Sequence, residues 1–476
     1  DTLVIGGEGF SDEEHMQKIG ASYQAFDFGT MSKEAGGKIF LNTVLFGFTC
    51  GMLQLPSDLG AKNIREKFGS KGEEIVQSNS MAFDLGYKKG ETIGFAMDVM
   101  PSSQVKDKMV LDGTTAVGIG ALAGGCNFVS TYPMSPGTAV LQYLAEKGDE
   151  FGVFVEQAED EIAAVNMVIG AWYAGARAMA TTSGGGFALM VEGISLSAMT
   201  ETPCVVHIGQ RPGPATGLPT RTEQGDLNLA LYAGHGEFPR IILAPATLKD
   251  GIELAQQAFY LADKYQSPVI LLTDQFFLES KGLLEPFELN PKFLEDFIIE
   301  TDSDYKRYDL SKGTLSPRGI PGNGKGFVAV DSDEHEENGR ITEDFDTRVQ
   351  MHEKRLAKKD QMLDDYVTEE LVGDPKYKHL IVGWGSTYGV IKEYIETHEE
   401  EVAFLNIKQL YPLPNRLKEY FEKASKVIAV EGNSSGQLAD LLKKELDVTV
   451  DKKVLKYSGE QIAIEELEAE LKEVLG

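Results

Sequence analysis

From Gly113 to Ala145 the chain carries not one Asp, Glu, Lys or Arg, although a quarter of its residues are charged. So long an uncharged run must either fold away from water or span a membrane. Gly124, Gly125, Pro133, Pro136 and Gly137 interrupt it, whereas a membrane helix needs about 20 apolar residues in an unbroken helix. Burial within a folded domain remains. The run contains YPMSP (Tyr132 to Pro136) and is followed by EDE (Glu159 to Glu161), TTSGGGF (Thr181 to Phe187) and GQRPGPATGLPTRT (Gly209 to Thr222). Uncharged backbone, glycines for close approach, an acid and an arginine suit a charged organic cofactor and an anionic substrate. The stretch reads as the wall of a buried cofactor site.

The 476 residues suggest about three domains at the usual ~150 residues each. A formal charge of −29 would repel phosphate and excludes nucleic acid as a natural partner. Cys50, Cys126 and Cys204 are far apart, with no CxxC pair, so this chain holds no thiolate-ligated cluster or zinc site. A reducing cytoplasm is expected. The start, DTLVIGGEGF, lacks a signal-peptide pattern. It also lacks an initiating Met, which suggests a beginning inside a longer gene product.

LNTVLFGFTCGMLQL (Leu41 to Leu55) predicts a buried helix ending at Pro56, and two amphipathic helices follow. The second should open on the capping pattern SKGE (Ser70 to Glu73). Residues 1–92 therefore look like the end of an α/β domain, with the polar stretch Lys88 to Lys108 as a linker. Strands are predicted at Phe151–Glu156, Arg177–Thr182, Pro203–Gly209, Arg240–Pro245 and Pro268–Asp274. Helices are predicted at Ile162–Ala176, Ala188–Met199 and Leu248–Tyr265. Such alternation specifies a parallel, doubly wound sheet. Ligands of these sheets sit at the carboxyl ends of the strands, where YPMSP, EDE, SGGGF and GQRPG fall. Residues 301–376 are charged and punctuated by Gly and Pro, and read as a linker excursion. From 377 to 476 a second, smaller α/β domain follows.

Glu159, Asp160 and Glu161 are either plain acids at a helix start or the source of a carboxylate for a heterocycle nitrogen. The helix after them is apolar nearly all round and should be buried. SGGGF is either a phosphate-cradling loop or a place of close packing. Arg211, with Thr216, Thr220 and Thr222 nearby, either clamps a carboxylate or makes a structural ion pair. His207 reads as a satisfied core residue, and His235 has no evident partner. No metal-ligand spacing, GxSxG elbow or GDG–Asn diphosphate motif is present.

YPMSPGT, EDEIAA, TTSGGGFALMVEGISLSAMTETP, GQRPGPATGLPTRTEQGDL and GHGEFPRIILAP together resemble the α subunits of 2-oxoacid:ferredoxin oxidoreductases, the 2-oxoglutarate type with a fused γ domain. SPRGIPG, DEHEENGRITED and EGNSSGQLADLL extend the resemblance over nearly the whole chain. It implies a pyrimidine-type thiamine diphosphate domain at 110–300, a transketolase C-terminal-like domain at 377–476 and only the second half of the γ domain at 1–92. Glu161 matches the family glutamate that hydrogen-bonds the aminopyrimidine and promotes proton loss from the thiazolium carbon. Tyr132 and Pro133 fall at the cofactor. Ser135 stands where the family motif YPITP has Thr, and Gly137 replaces a small hydroxyl residue. Ser135, Arg211 and Thr220 match residues that hold the 2-oxoacid.

By the same resemblance, a β subunit supplies Mg2+, the diphosphate site and a 4Fe–4S cluster. Coenzyme A is the co-substrate, ferredoxin takes the electrons, and the assembly is an (αβ)2 heterotetramer in which this chain alone is inactive. The substrate would be 2-oxoglutarate, with pyruvate or a branched-chain oxoacid open. Arg221, Arg240 or a partner residue could meet a second carboxylate. A nucleotide-binding module held by SGGGF, or a non-catalytic scaffold, are the rival readings of the residues.

Overall fold

The computed structural model describes residues 2–7, 13–18, 20–93, 102–398 and 401–475. It divides into two compact units, Asp1–Lys106 and Asp107–Gly476. No helix among the described residues is long and apolar enough to cross a membrane.

In the first unit the parallel strands β1 (Thr2–Gly7) and β2 (Ala21–Phe26) precede helices Phe28–Glu34, Leu41–Met52, Ser57–Phe68 and Glu73–Gly90. Phe26 and Phe28 both meet Phe48 edge-on at 4.9 Å, a favourable arrangement of aromatic quadrupoles. The predicted SKGE capping box does not form. Gly69–Lys71 makes a 3-10 turn, and Gly72, at φ 106°, becomes the cap of the last helix without any side-chain hydrogen bond. The predicted linker begins inside that helix, at Lys88–Gly90, and its residues 94–101 lie outside the described residues.

The second unit opens with β3 (Met109–Asp112) and helix Gly113–Ala123. The main sheet then takes β4 (Phe128–Thr131), β5 (Phe154–Gln157), β6 (Ala178–Thr182), β7 (Cys204–Gln210), β8 (Ile241–Leu243) and β9 (Pro268–Asp274), all mutually parallel. β7 and β9 are buried along their whole length, as parallel strands covered on both faces must be. Short pieces follow: β10 (Lys281–Leu284), which pairs with β3, and the parallel pair β11 (Ile298–Thr301) and β12 (Arg318–Gly324).

The C-terminal sheet contains β13 (Glu370–Val372), β14 (His379–Gly383), β15 (Val402–Asn406), β17 (Lys426–Glu431) and β18 (Lys452–Leu455), in the order β13–β15–β14–β17–β18. The remaining strand, β16 (Gln409–Tyr411), leaves it and pairs antiparallel with β8. The main sheet is thus ordered β16–β8–β9–β7–β6–β4–β5.

Three further features of the second unit differ from the sequence expectation. The charge-free run is not cofactor wall throughout. Its first part is helix Gly113–Ala123, packed so closely on helix Leu248–Tyr265 that a Cβ on Gly120 would lie 2.3 Å from the Ile252 carbonyl oxygen. The same run also hides β4, whose four residues FVST carry no alternation visible in an uncharged context. Residues 301–376 include an 18-residue helix, Phe345–Met362. Its buried face holds Lys354, Arg355 and Lys358, so apolar periodicity could not announce it. The buried partner is Glu201, whose carboxylate accepts from Lys354 at 2.7 Å and Lys358 at 2.6 Å. Burial alone would raise the Glu201 carboxyl, but Lys358, Lys354 and Arg307 outweigh it and hold the acid ionised.

Candidate functional site

The strands β7, β6, β4 and β5 are consecutive neighbours and parallel, so their carboxyl ends line up along one edge. The four sequence motifs follow directly from those ends. Tyr132 succeeds Thr131 of β4, Glu159–Glu161 follow Gln157 of β5, Ser183 follows Thr182 of β6, and Arg211 follows Gln210 of β7.

The acid cluster divides by role. Asp160 caps helix Glu161–Tyr173, accepting from the Ala163 amide at 2.7 Å. Glu159 is exposed. Glu161, only 3% exposed, turns inward, and its Oε1 is shut off from solvent without a hydrogen-bond partner. Burial pushes its carboxyl above the usual range, and Asp160 adds to the rise against a backbone hydrogen bond. The helix itself is not buried all round: Ile162 is 52% and Met167 41% exposed, beside exposed Asn166 and Gly170. An apolar face open in the single chain reads in sequence like a core face.

SGGGF is not a loop. Ser183 is the cap of helix Gly184–Met199, without a side-chain cap bond, and the glycines form its first turn. Their absent side chains make room for two acids. A Cβ on Gly186 would stand 2.1 Å from Thr182 Oγ1 and 2.4 Å from Glu161 Oε1. A Cβ on Gly184 would stand 2.4 Å from both carboxyl oxygens of Asp226. Thr182 Oγ1, Ser183 Oγ and Asp226 Oδ2 are, like Glu161 Oε1, closed to solvent and unpartnered. A buried polar atom left so costs about 1–3 kcal/mol. Four of them gather at the start of this helix, where a polar ligand would satisfy them.

Arg211 and Ser135 come together, through the Ser135 carbonyl, which accepts from Arg211 Nη1 at 2.6 Å. Arg211 Nε remains buried and unpartnered. Thr220 lies exposed on the loop after Arg211, and its hydroxyl makes no hydrogen bond among the described residues. Thr222 does not join the cradle: its hydroxyl donates to Asp274 at 3.1 Å and accepts from the Phe276 amide. Tyr132 is 41% exposed and Pro133 half-buried beside it. Gly137 fits its place closely, since a Cβ there would lie 2.7 Å from the Thr182 carbonyl oxygen.

Arg240 is already engaged, donating from Nη1 to the carbonyls of Ala230 and Ala233 and stacking on Phe238. Arg221 is exposed. His207 is a satisfied core residue, bonded to Thr181 Oγ1 at 2.7 Å and Thr273 Oγ1 at 2.8 Å, and burial lowers its pKa to about 3. His235 lines a separate cleft with His352, Arg348 and Glu237. Asp226 is the site residue that sequence reasoning passed over. Its one signal is an acid immediately before the apolar helix Leu227–Tyr232, in which it makes no side-chain cap bond.

Chemically, the arrangement offers an acceptor of raised basicity at Glu161 for a ring N–H, and a guanidinium for an anion at Arg211.

Two family models match the chain. "Pyruvate flavodoxin/ferredoxin oxidoreductase, thiamine diP-bdg" matches residues 119–354, and "Pyruvate ferredoxin/flavodoxin oxidoreductase" matches residues 5–89. The α subunit of 2-oxoacid:ferredoxin oxidoreductase 1 from Sulfurisphaera tokodaii is 38% identical over 79% of this chain, which spans 63% of that relative's length. The α subunit of 2-oxoacid:ferredoxin oxidoreductase 2 from Aeropyrum pernix is 33% identical over 94% of this chain and 74% of its own. The 2-oxoglutarate synthase subunit KorA of Archaeoglobus fulgidus is 34% identical over 75% of this chain and 96% of its own. Among solved structures, 2-oxoglutarate:ferredoxin oxidoreductase from Magnetococcus marinus, with 2-oxoglutarate, coenzyme A and succinyl-CoA bound, superposes with a TM-score of 0.88 at 32% identity. That match covers 100% of this chain and 84% of the other.

Proposed function

Because the chain belongs to the family of 2-oxoacid:ferredoxin oxidoreductase α subunits, we propose that it forms one wall of a thiamine diphosphate site shared with a β subunit. The complex would carry out the reversible, coenzyme A-dependent oxidative decarboxylation of 2-oxoglutarate to succinyl-CoA and carbon dioxide, with electrons passing to ferredoxin. The relatives named 2-oxoglutarate synthase and the Magnetococcus marinus likeness favour this substrate over pyruvate or a branched-chain oxoacid. In this reading Mg2+ and a 4Fe–4S cluster reside in the β subunit of a cytoplasmic (αβ)2 heterotetramer. Residues 1–92 are the C-terminal part of a γ domain, 110–300 the pyrimidine-binding domain, 301–376 a linking excursion and 377–476 a transketolase C-terminal-like domain.

One observation carries the proposal: the unpartnered, buried Oε1 of Glu161 at the end of β5. It fits the aminopyrimidine ring, which brings an N–H for a carboxylate to accept. Tyr132 and Pro133 flank the same edge. Thiamine diphosphate, when bound, would supply a nucleophilic carbon and a cationic ring able to act as electron sink for the decarboxylation. Glu161 orients the pyrimidine and holds the ring proton. Ser135, through its carbonyl, fixes the Arg211 guanidinium, which with Thr220 receives the substrate carboxylate.

Glu161→Gln in the assembled complex tests this. Hydrogen–deuterium exchange at the thiazolium carbon should slow by about 10²–10⁴-fold, the usual reach of a positioned acid–base group, with assembly intact. Unchanged exchange would overturn the role.

A further inference from the structure

Asp226 ends the loop that Arg211 begins. Its amide donates to Gln210 Oε1 at 3.0 Å, which brings the loop back to the end of β7. Its carboxyl is not spent on capping the helix that follows. It lies instead on the start of helix Gly184–Met199, in the space that a Cβ on Gly184 would fill. Two atoms of opposite character, Asp226 Oδ2 and Arg211 Nε, are each closed to solvent and each without a partner, and the Arg211 charge acts on the Asp226 carboxyl. They do not bond one another, and Arg211 is held by the Ser135 carbonyl.

We propose that Asp226 is a second substrate-binding residue, whose protonated carboxyl donates a hydrogen bond to the same oxoacid carboxylate that Arg211 receives. The proposal rests on the reading of Arg211 as the substrate's carboxylate receptor. One carboxylate oxygen takes the Arg211 Nε–H and the other takes the Asp226 O–H, so both orphaned atoms are satisfied by one ligand.

An ionised Asp226 would repel the anion, and its surroundings favour the neutral form. Burial raises its pKa from 3.8 to about 6, Glu223 of the same loop adds to the rise, and Arg211 opposes it. From the facing helix come the amides of its first turn, while Glu161 packs one step further on, at Gly186. Above pH about 6 the binding of an oxoacid anion is therefore accompanied by uptake of one proton, and no covalent bond changes.

The test uses the assembled oxidoreductase and 2-hydroxyglutarate, which has the carboxylate but no carbonyl for the cofactor to attack. Calorimetry at about pH 7.5, in phosphate and in Tris, reads proton uptake from the difference in apparent enthalpy. Wild type should take up close to one proton per ligand and lose affinity roughly tenfold per pH unit above pH 6. Asp226→Asn, whose amide donates at every pH, should take up none and bind with a flat pH profile. The wild-type measurement needs no variant to fold. Absence of proton uptake and a flat wild-type profile, with Arg211→Ala still losing binding, would overturn the role of Asp226 and leave that of Arg211. Unchanged binding by Arg211→Ala would overturn both.

Discussion

Glu161 Oε1 occupies space that exists only because residue 186 is glycine: an added Cβ would lie 2.4 Å from it. The carboxylate's position is therefore set from a neighbouring strand–helix junction as well as from its own helix.

Gly186→Ala should consequently reproduce much of the Glu161→Gln loss of thiazolium-carbon exchange while keeping the acid. Alanine is favoured over glycine in a helix by about 1 kcal/mol, so the fault lies in the clash with Glu161 and Thr182. Exchange measured beside a thermal melt separates the two effects. Normal exchange in a folded variant would show that Glu161 tolerates displacement.

Asp226→Asn should change stability with a definite sign. The folded acid titrates near 6 against 3.8 for the free side chain. Its contribution is fully present below pH about 3.8 and is lost as pH rises through 6. At pH 8 the asparagine variant of this chain should be more stable, by at most about 3 kcal/mol. The gap should close as pH falls toward 4. Urea unfolding across that range measures it, and a constant gap would contradict the burial assigned to this carboxyl.

Glu201→Gln should destabilise the second unit by about 3–5 kcal/mol, because Lys354 and Lys358 are left as buried charges without their counter-ion. Glu396→Gln is the control. Its bridge to Lys392 is exposed, and its loss should cost under about 1 kcal/mol. Chemical denaturation of both variants gives the comparison, and equal costs would rule out a buried ionic clasp.

How much could be read beforehand depended on whether a residue's role was local. β7 and β9 were legible because central parallel strands are unbroken apolar runs, and the expected ends of β5, β6 and β7 placed Glu161, Ser183 and Arg211 in turn. β4 was not, since FVST within an uncharged run has no contrast with its neighbours. Helix Phe345–Met362 was hidden because Lys354 and Lys358 face inward toward Glu201, distant in sequence. Ser70 and Glu73 had the spacing of a capping box, but the left-handed Gly72 started the helix later. Asp226 was invisible for a similar reason, as its place is made by the missing side chain of Gly184. Arg240 looked available until its hydrogen bonds to Ala230 and Ala233 were seen.

The antiparallel strand β16 has a consequence for the chain as it is made. Until Gln409–Tyr411 leaves the ribosome, β8 presents a bare row of amides and carbonyls, the kind of edge that recruits strands from other molecules. The sheet bearing the site is thus sealed late in translation. Nascent or prematurely terminated chains are the forms most in need of a chaperone.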